Sequence, residues 1–228
     1  MTNQDFINSL SPKATQIISS YSCKKDKKDI VVVLSENESQ LNFTNPEKYI
    51  IEVKRKESFE QMEYELLHEF FHCVQMDENF PSLTPIDYSY SKIASSLSST
   101  VLDLDVNKRL EKWNYFYNSS GLKNSINDIR KLIFISQNDS LVYDEIHEMN
   151  QYINICSMIA FVRINSPHIA EINQLLKILS ENAKDFYKTQ SVIFNTINKI
   201  GFNSPQKVHK VFKTLIRELK LEKYIKIS

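Results

Sequence analysis

The chain has few glycines and few cysteines for its 228 residues. Its two glycines are Gly121 and Gly201, so the glycine-rich loops that bind nucleotide phosphates, GxGxxG and GxxxxGK, are absent. Its three cysteines, Cys23, Cys73 and Cys156, lie far apart and form no CxxC pair. This spacing argues against a disulfide framework and against a cysteine-based zinc site. We therefore expect a reducing compartment and no nucleotide chemistry of the glycine-loop kind.

The chain also lacks an excess of charge of either sign and any long apolar run. Twenty-eight basic residues balance 28 acidic ones, so no overall field attracts nucleic acid or an anionic membrane surface. No stretch approaches the roughly 18 apolar residues of a membrane span, and the N-terminus lacks the basic and apolar regions of a signal peptide. We expect a cytoplasmic protein with neither a membrane nor a nucleic-acid partner.

Strand-like segments occur near the N-terminus, and helical spacing dominates the rest of the chain. The β-branched segments 29–34 and 49–54 predict strands, with two or three strands expected in this region. From Ser58 onward, apolar residues recur at intervals of three and four, which predicts a helix that ends before Pro81. Thr84 is expected to cap the next helix, which runs to about residue 117. Other helices are predicted at about 12–21, 124–136, 140–165, 167–181, 184–200 and 205–224.

This order of elements predicts an α+β fold. A small N-terminal sheet and the helix after Ser58 are followed by a mostly helical C-terminal part. No internal repeat, low-complexity linker or clear boundary divides the chain. We therefore expect a single domain over residues 1–228, with a helical extension from about residue 120.

The predicted helix contains a histidine pair at metal-ligand spacing, within the segment YELLHEFFHCVQ that begins at Tyr64. His68 and His72 are four residues apart, so their rings project from one helix face and can reach a single zinc ion at about 2.0–2.1 Å. Glu69 leans toward the open side of such an ion, where its carboxylate can take a proton from water. This spacing predicts a metal site with an adjacent general base.

Apolar residues flank the motif on nearly every side of the helix, as expected for a helix in the protein interior. They include Leu66, Leu67, Phe70 and Phe71. Burying two imidazoles and a carboxylate without partners costs free energy, because these groups lose their hydration. A bound metal ion satisfies them. The plainer interpretation is a buried helix whose histidines hydrogen-bond to neighbouring side chains.

The HExxH pattern at residues 68–72 resembles the active-site helix of the zincin superfamily of metallopeptidases. The resemblance implies that His68 and His72 bind Zn²⁺, that Glu69 is the catalytic acid/base, and that the chain hydrolyses peptide bonds in a peptide or protein substrate. It covers about 15 residues, and a bare HExxH is only moderately specific. The longer metzincin pattern HExxHxxGxxH is absent, because Gln75 and Glu78 stand where it has glycine and histidine.

A catalytic zinc site needs a third protein ligand and keeps its fourth position for water. Residues 101–110, VLDLDVNKRL, resemble the Asp-x-x-Val-Asn-x-x-Leu helix of small bacterial and phage-type peptidases, and this match implies Asp103 as the third ligand. Asp103 flanks the predicted buried stripe of its helix more closely than Asp105, and Asn107 shares that flank and could orient the ligand. Asp105, Glu111 and His147 remain alternatives, and a solvated Asp103 is the plainer interpretation.

Other functions fit parts of the sequence. One is a catalytically inert, zincin-like helical interaction or regulatory protein. Another is a regulatory protease that cleaves a repressor, which would need a DNA-binding segment or a neighbouring repressor, and the sequence has no convincing helix-turn-helix. His147 could stabilise an oxyanion, although a surface or core histidine is the more ordinary interpretation. The pattern leaves the substrate preference and the oligomeric state open.

Overall fold

The computed structural model describes residues 1–22, 28–42, 45, 47–56, 58–116, 126–127, 129–131, 145–165 and 170–228. The chain divides into two compact units. Unit 1 contains residues 1–79 and 106–116, and unit 2 contains residues 80–105 and 117–228. The division falls inside one helix, α4 (Ser91–Lys112), which therefore contributes to both units. The expected single domain stays a prediction.

Unit 1 is built on a three-stranded sheet of β1 (Asp29–Ser35), β2 (Gln40–Asn42) and β3 (Lys48–Lys54). β3 lies in the middle, paired in parallel with β1 and antiparallel with β2. Alternate residues of β3 are buried, which is the period-two pattern of a strand with one face against a core. Both predicted strands and the third one allowed by the sequence are confirmed.

Three helices complete the N-terminal part of unit 1. They are α1 (Asn3–Asn8), α2 (Pro12–Ser22) and α3 (Phe59–Asp77). The sequence predicted α2 and α3, whereas α1 was missed. The side chain of Ser58 caps α3 by accepting a hydrogen bond from the backbone N–H of Gln61, which satisfies one of the free donors of the first turn.

The core of unit 1 forms where α3 meets the sheet and the first two helices. Its fully buried members include Leu66, Leu67, Phe70 and Cys73 of α3, and Ile51 of the central strand. Nearly every turn of α3 therefore contributes an apolar side chain to this core. Because so much of the helix surface is fixed by packing, its rotation about its own axis is fixed as well.

A buried carboxylate connects three separate segments of unit 1 through hydrogen bonds. Glu63 of α3 is 6% exposed and accepts hydrogen bonds from the backbone N–H of Ser11 (2.6 Å), the hydroxyl of Ser11 (2.9 Å) and the hydroxyl of Tyr115 (2.7 Å). Ser11 precedes α2, and Tyr115 follows α4. Burial raises the pKa of Tyr115 to about 12, so its hydroxyl stays protonated and able to donate.

Unit 2 is mostly helical. Leu83–Pro85 (β4) pairs antiparallel with the C-terminal strand Ile225–Ile227 (β5). Besides the N-terminal part of α4, the described helices are α5 (Glu145–Asn165), α6 (Ala170–Asn182), α7 (Lys184–Ile200) and α8 (Pro205–Glu218). The first main core cluster of unit 2 joins α4, α5, α7 and α8, and a second cluster joins α5 and α6.

The start of α4 differs from the prediction. Thr84 does not cap a helix, because it lies in β4 opposite Lys226. Asp87 caps a short 3-10 turn instead, by accepting a hydrogen bond from the backbone N–H of Ser89, and α4 begins at Ser91. The partner strand comes from the other end of the chain, so no local signal could indicate this pairing.

The last predicted helix is too long at its C-terminal end. α8 ends at Glu218 rather than at about residue 224, and Lys220 then adopts a positive φ of 56°. Gly201, with a φ of 83°, ends α7 as the sequence indicated. Of the helix predicted at 124–136, residues 126–127 and 129–131 are described, and they are helical. The rest of that helix lies outside the described residues. So do residues 166–169, where the helix predicted at 167–181 begins, and residues 140–144 of the helix predicted at 140–165.

The α+β prediction is confirmed, with a small N-terminal sheet and a mostly helical C-terminal part. Within the described ranges, no helix combines the length and the apolar character needed to cross a membrane.

Replacing Glu63 by alanine tests the role of the buried carboxylate in the fold. The change leaves the Ser11 N–H and the Tyr115 hydroxyl without their acceptor, so we expect the free energy of unfolding to fall by about 2–4 kcal/mol. Urea unfolding monitored by circular dichroism measures this. The control is Glu60→Ala, an exposed acid one turn earlier on α3, expected to change stability by less than about 0.5 kcal/mol. Equal effects of the two substitutions would contradict the assignment.

Candidate metal centre

α3 holds the two histidines side by side. The ring centroids of His68 and His72 are 5.0 Å apart, with an angle of 78° between the ring planes. Both side chains are half-buried, whereas Leu67 and Phe71, each preceding one of them, are buried. The packing of α3 therefore leaves the histidines at the margin of the core, where they remain accessible to a ligand.

The structure brings Asp103 of α4 to this histidine pair. One ring nitrogen of His68, one of His72 and one carboxylate oxygen of Asp103 all lie within 4.8 Å of one another, and all three side chains are half-buried. Across the described residues, this is the group of histidine, cysteine, aspartate or glutamate side chains that could hold a metal ion. These are the three residues that the sequence predicted as ligands.

The donor set suits a divalent transition metal. Two imidazole nitrogens and one carboxylate oxygen are ligands of catalytic zinc sites, which complete their coordination with water. The same set occurs in the two-histidine, one-carboxylate sites of non-haem iron. A tetrahedral ion with bonds of about 2.1 Å separates its ligand atoms by roughly 3.4 Å, so small side-chain rotations bring the three atoms to binding distance. The residues present therefore fit a metal ion.

Gln75 orients one of the histidines. Nδ1 of His72 lies 2.9 Å from Oε1 of Gln75, and Gln75 is only 2% exposed. When Nδ1 carries the proton and donates to this oxygen, Nε2 keeps a lone pair for a metal. This role of Gln75 was not predicted from the sequence. Its spacing of three residues from His72 was the available signal.

Tyr64 and Asn107 connect α3 to the C-terminal half of α4 beside the histidines. The hydroxyl of Tyr64 donates to Oδ1 of Asn107 at 3.2 Å, and Asn107 is 2% exposed. The Tyr64 ring lies 6.3 Å from the His68 ring. Since Asn107 and Asp103 are one helical turn apart, this bond fixes α4 close to the carboxylate. The prediction that Asn107 orients Asp103 directly stays a prediction.

The alternative third ligands do not belong to the group. Asp105 is buried, at 3% exposure, and is not among the three residues whose ligand atoms converge. Glu111 accepts a hydrogen bond from Lys108 at 2.6 Å. His147 is exposed, and its Nε2 lies 2.8 Å from Nε2 of Gln151. Among the candidates from sequence, Asp103 alone joins the histidine pair.

Cys73, next to His72, lies in the core of unit 1 and is not one of the residues whose ligand atoms converge. Burial raises the pKa of its thiol to about 12, and the charge of Glu69 adds to this rise. The thiol therefore stays protonated at neutral pH, and its sulfur donates to the backbone oxygen of Glu69 at 3.5 Å. The ligand atoms that converge here are therefore two nitrogens and one oxygen, with no sulfur among them.

Comparison of the chain with family models, with curated proteins and with solved structures finds no match.

Removing any one of the three candidate ligands should weaken metal binding. We expect His68→Ala, His72→Ala and Asp103→Ala each to lower the affinity for Zn²⁺ by more than about 100-fold, and Gln75→Ala by about 10–100-fold because it only orients His72. Competition with a chromogenic chelator measures these affinities. Glu111→Ala, on the same helix as Asp103, is the matched control and should bind zinc as the unchanged protein does. Unaltered affinity in Asp103→Ala would remove Asp103 from the ligand set.

Proposed function

We propose that this chain is a zinc-dependent metallopeptidase, in which His68, His72 and Asp103 hold the metal and Glu69 is the general base. The observation that carries the proposal is the convergence of the three ligand atoms within 4.8 Å around an HExxH segment. The resemblance to the zincins supports the assignment of Glu69. The proposal includes a peptide or protein substrate, a cytoplasmic location and no nucleic-acid partner.

The chemistry proposed for the bound metal is that of a Lewis acid, which polarises the peptide carbonyl and makes water more acidic. The carboxylate of Glu69 accepts the proton that the attacking water loses. It then donates this proton to the nitrogen of the departing amine, so the same group serves first as base and then as acid. Glu69 begins and ends the reaction ionised.

The position of Glu69 on α3 suits this role. Glu69 directly follows His68, so its side chain leaves the helix about 100° further around the axis than the first histidine. It is half-buried and is not one of the three residues whose ligand atoms converge. A carboxylate beside the ligands, rather than among them, can exchange protons while the metal stays bound.

Glu69 also distinguishes zinc hydrolysis from the iron chemistry that the same donor set could support. Oxygenases with two histidines and one carboxylate activate dioxygen and do not need a carboxylate base directly after the first ligand. A peptidase does need one. We therefore assign zinc, and elemental analysis of protein purified without chelators tests the choice directly.

Replacing Glu69 by glutamine should remove hydrolysis without removing the metal. Glutamine keeps the shape of the side chain but cannot take a proton, so we expect kcat/KM to fall by about 10²–10⁴-fold with the zinc content unchanged. The assay uses internally quenched peptide pools, with one zinc per chain verified by mass spectrometry.

Glu60→Gln, an exposed carboxylate on the same helix, is the matched control and should keep full activity. Full activity in Glu69→Gln would exclude the base role. A zinc-loaded parent protein that hydrolyses none of the pools would favour the catalytically inert, regulatory alternative.

A further inference from the structure

The C-terminal part of unit 2 carries an excess of positive charge. Residues 205–228 contain seven basic residues and two acidic ones, Glu218 and Glu222, although the whole chain has equal numbers of basic and acidic residues. The equal totals therefore coexist with a positive local field at this end of the chain. Such a field attracts anionic partners to the surface that carries it.

Apolar packing fixes which side of α8 faces solvent. Four residues of this helix are fully buried in the core of unit 2, namely Val208, Val211, Phe212 and Leu215. They recur at intervals of three and four, so they occupy one face of the helix. Because rotation of α8 would expose this apolar face to water, the opposite face stays at the surface.

The face of α8 opposite the core bears a row of cations, which we name the basic stripe. Lys210, Lys213 and Arg217 are spaced by three and four residues, so they lie within about 60° of one another around the helix axis. Lys207 flanks them, and all four side chains are exposed. At a rise of 1.5 Å per residue, the basic stripe is about 15 Å long.

The lysines of the basic stripe have no carboxylate partner within the part of the chain that the structure describes. Lys210 and Lys213 form neither a hydrogen bond nor an ion pair there. Nζ of Lys207 donates to the neutral side-chain oxygen of Asn203 at 2.9 Å, which leaves the lysine charge uncompensated. Three ammonium groups along one helix face are therefore available to an anionic partner.

The surroundings of these lysines favour an acidic protein segment over a nucleic acid. Nε and Nη2 of Arg217 both donate to Oε1 of Glu218, at 3.1 and 2.7 Å, so one edge of the guanidinium is already occupied and is not open to a bidentate contact with phosphate. The one aromatic residue of α8, Phe212, is buried. The helix therefore offers no ring on which a base of a single strand could stack.

An anionic membrane also fits this surface less well than an acidic protein segment. Helices that lie in a membrane interface insert their apolar face between the lipids. The apolar face of α8 is buried in the core of unit 2, so only charge attraction would remain.

We propose that the basic stripe docks an acidic segment of a protein partner, and that this partner is the substrate of the peptidase. The second part rests on the proposed function. An extended chain covers the length of the basic stripe with about five residues, so a short run of Asp and Glu is enough to reach its lysines. Because exposed ion pairs are individually weak, the contact raises the local concentration of substrate rather than holding it tightly.

Binding of labelled peptides tests the docking surface without requiring hydrolysis. Fluorescein-labelled Gly-Ser peptides carry a run of about five Glu residues or, as the neutral counterpart, about five Gln residues. They are titrated against zinc-loaded Glu69→Gln protein and followed by anisotropy. At about 20 mM NaCl we expect the Glu peptide to bind at least about 10-fold more tightly than the Gln peptide, and about 300 mM NaCl should remove most of this difference by screening. Equal binding at low salt would overturn the docking surface.

A double variant tests whether the basic stripe carries this preference. Lys210→Gln combined with Lys213→Gln should lower the affinity for the Glu peptide by at least about 5-fold and leave the affinity for the Gln peptide unchanged. Thermal unfolding checks that the variant keeps its stability, as expected for exposed side chains. The control combines Lys108→Gln with Lys177→Gln, two exposed lysines of α4 and α6, which changes the net charge equally and should not alter binding. Equal losses in both double variants would overturn the assignment to α8.

Two other probes test the chemistry of the partner. One is a single-stranded oligonucleotide with the same number of negative charges as the Glu peptide. The other is a vesicle of phosphatidylcholine with about one third phosphatidylserine. We expect the Glu peptide to bind more tightly than either. Tighter binding of the oligonucleotide or of the vesicle, lost in the double variant at Lys210 and Lys213, would overturn the assignment to a protein partner.

Hydrolysis separates failure of the docking surface from failure of the peptidase. A quenched peptide that the protein cleaves is compared with versions extended by the Glu run or by the Gln run. We expect the Glu extension to lower KM by about 10-fold relative to the Gln extension with kcat unchanged, and the double variant to remove this difference. Cleavage of both versions with the same KM would overturn the substrate role and leave the peptidase proposal standing. Tighter binding of the Glu peptide without any hydrolysis would support the docking surface while the peptidase proposal fails.

Discussion

The packing of α3 in the core of unit 1 is the constraint on which the candidate site depends. Leu66, Leu67 and Phe70 are each at most 1% exposed, so the helix cannot rotate without exposing apolar surface. With that rotation fixed, the spacing of four residues places His68 and His72 on the same face. The hydrophobic effect thus holds the polar groups in place, although none of the apolar side chains takes part in the chemistry.

Apolar packing fixes the positions of the helices, and hydrogen bonds from buried polar side chains fix the orientation of individual groups. Glu63 gathers three donors from separate segments, Gln75 contacts the ring of His72, and Asn107 accepts from Tyr64. Each of these residues is at most 6% exposed. In such surroundings a hydrogen bond is stronger, and its loss more costly, than at the surface. α3 and the C-terminal half of α4 therefore form a preorganised support for the histidines.

Asp103 belongs to two features of the structure. Its carboxylate belongs to the group that could hold a metal, and the same residue lines the cavity between α4 and α5. The serines and the threonine that precede it on α4 are small, which leaves room for the cavity, and their hydroxyls give it a polar wall. One helix thus carries both a candidate metal ligand and part of the lining of a cavity.

The sequence by itself determined the elements whose signals are local. The strands near 29–35 and 48–54, the helix that begins after Ser58, and the common face of His68 and His72 all follow from patterns within a few residues. Tertiary structure alone decided that Asp103, and not Asp105, Glu111 or His147, joins the histidines, that β4 pairs with a strand about 140 residues later, and that Ser157 lines a cavity. Each of these features depends on contacts between segments that are far apart in the sequence. Such contacts produce no periodic pattern of residues from which they could be predicted.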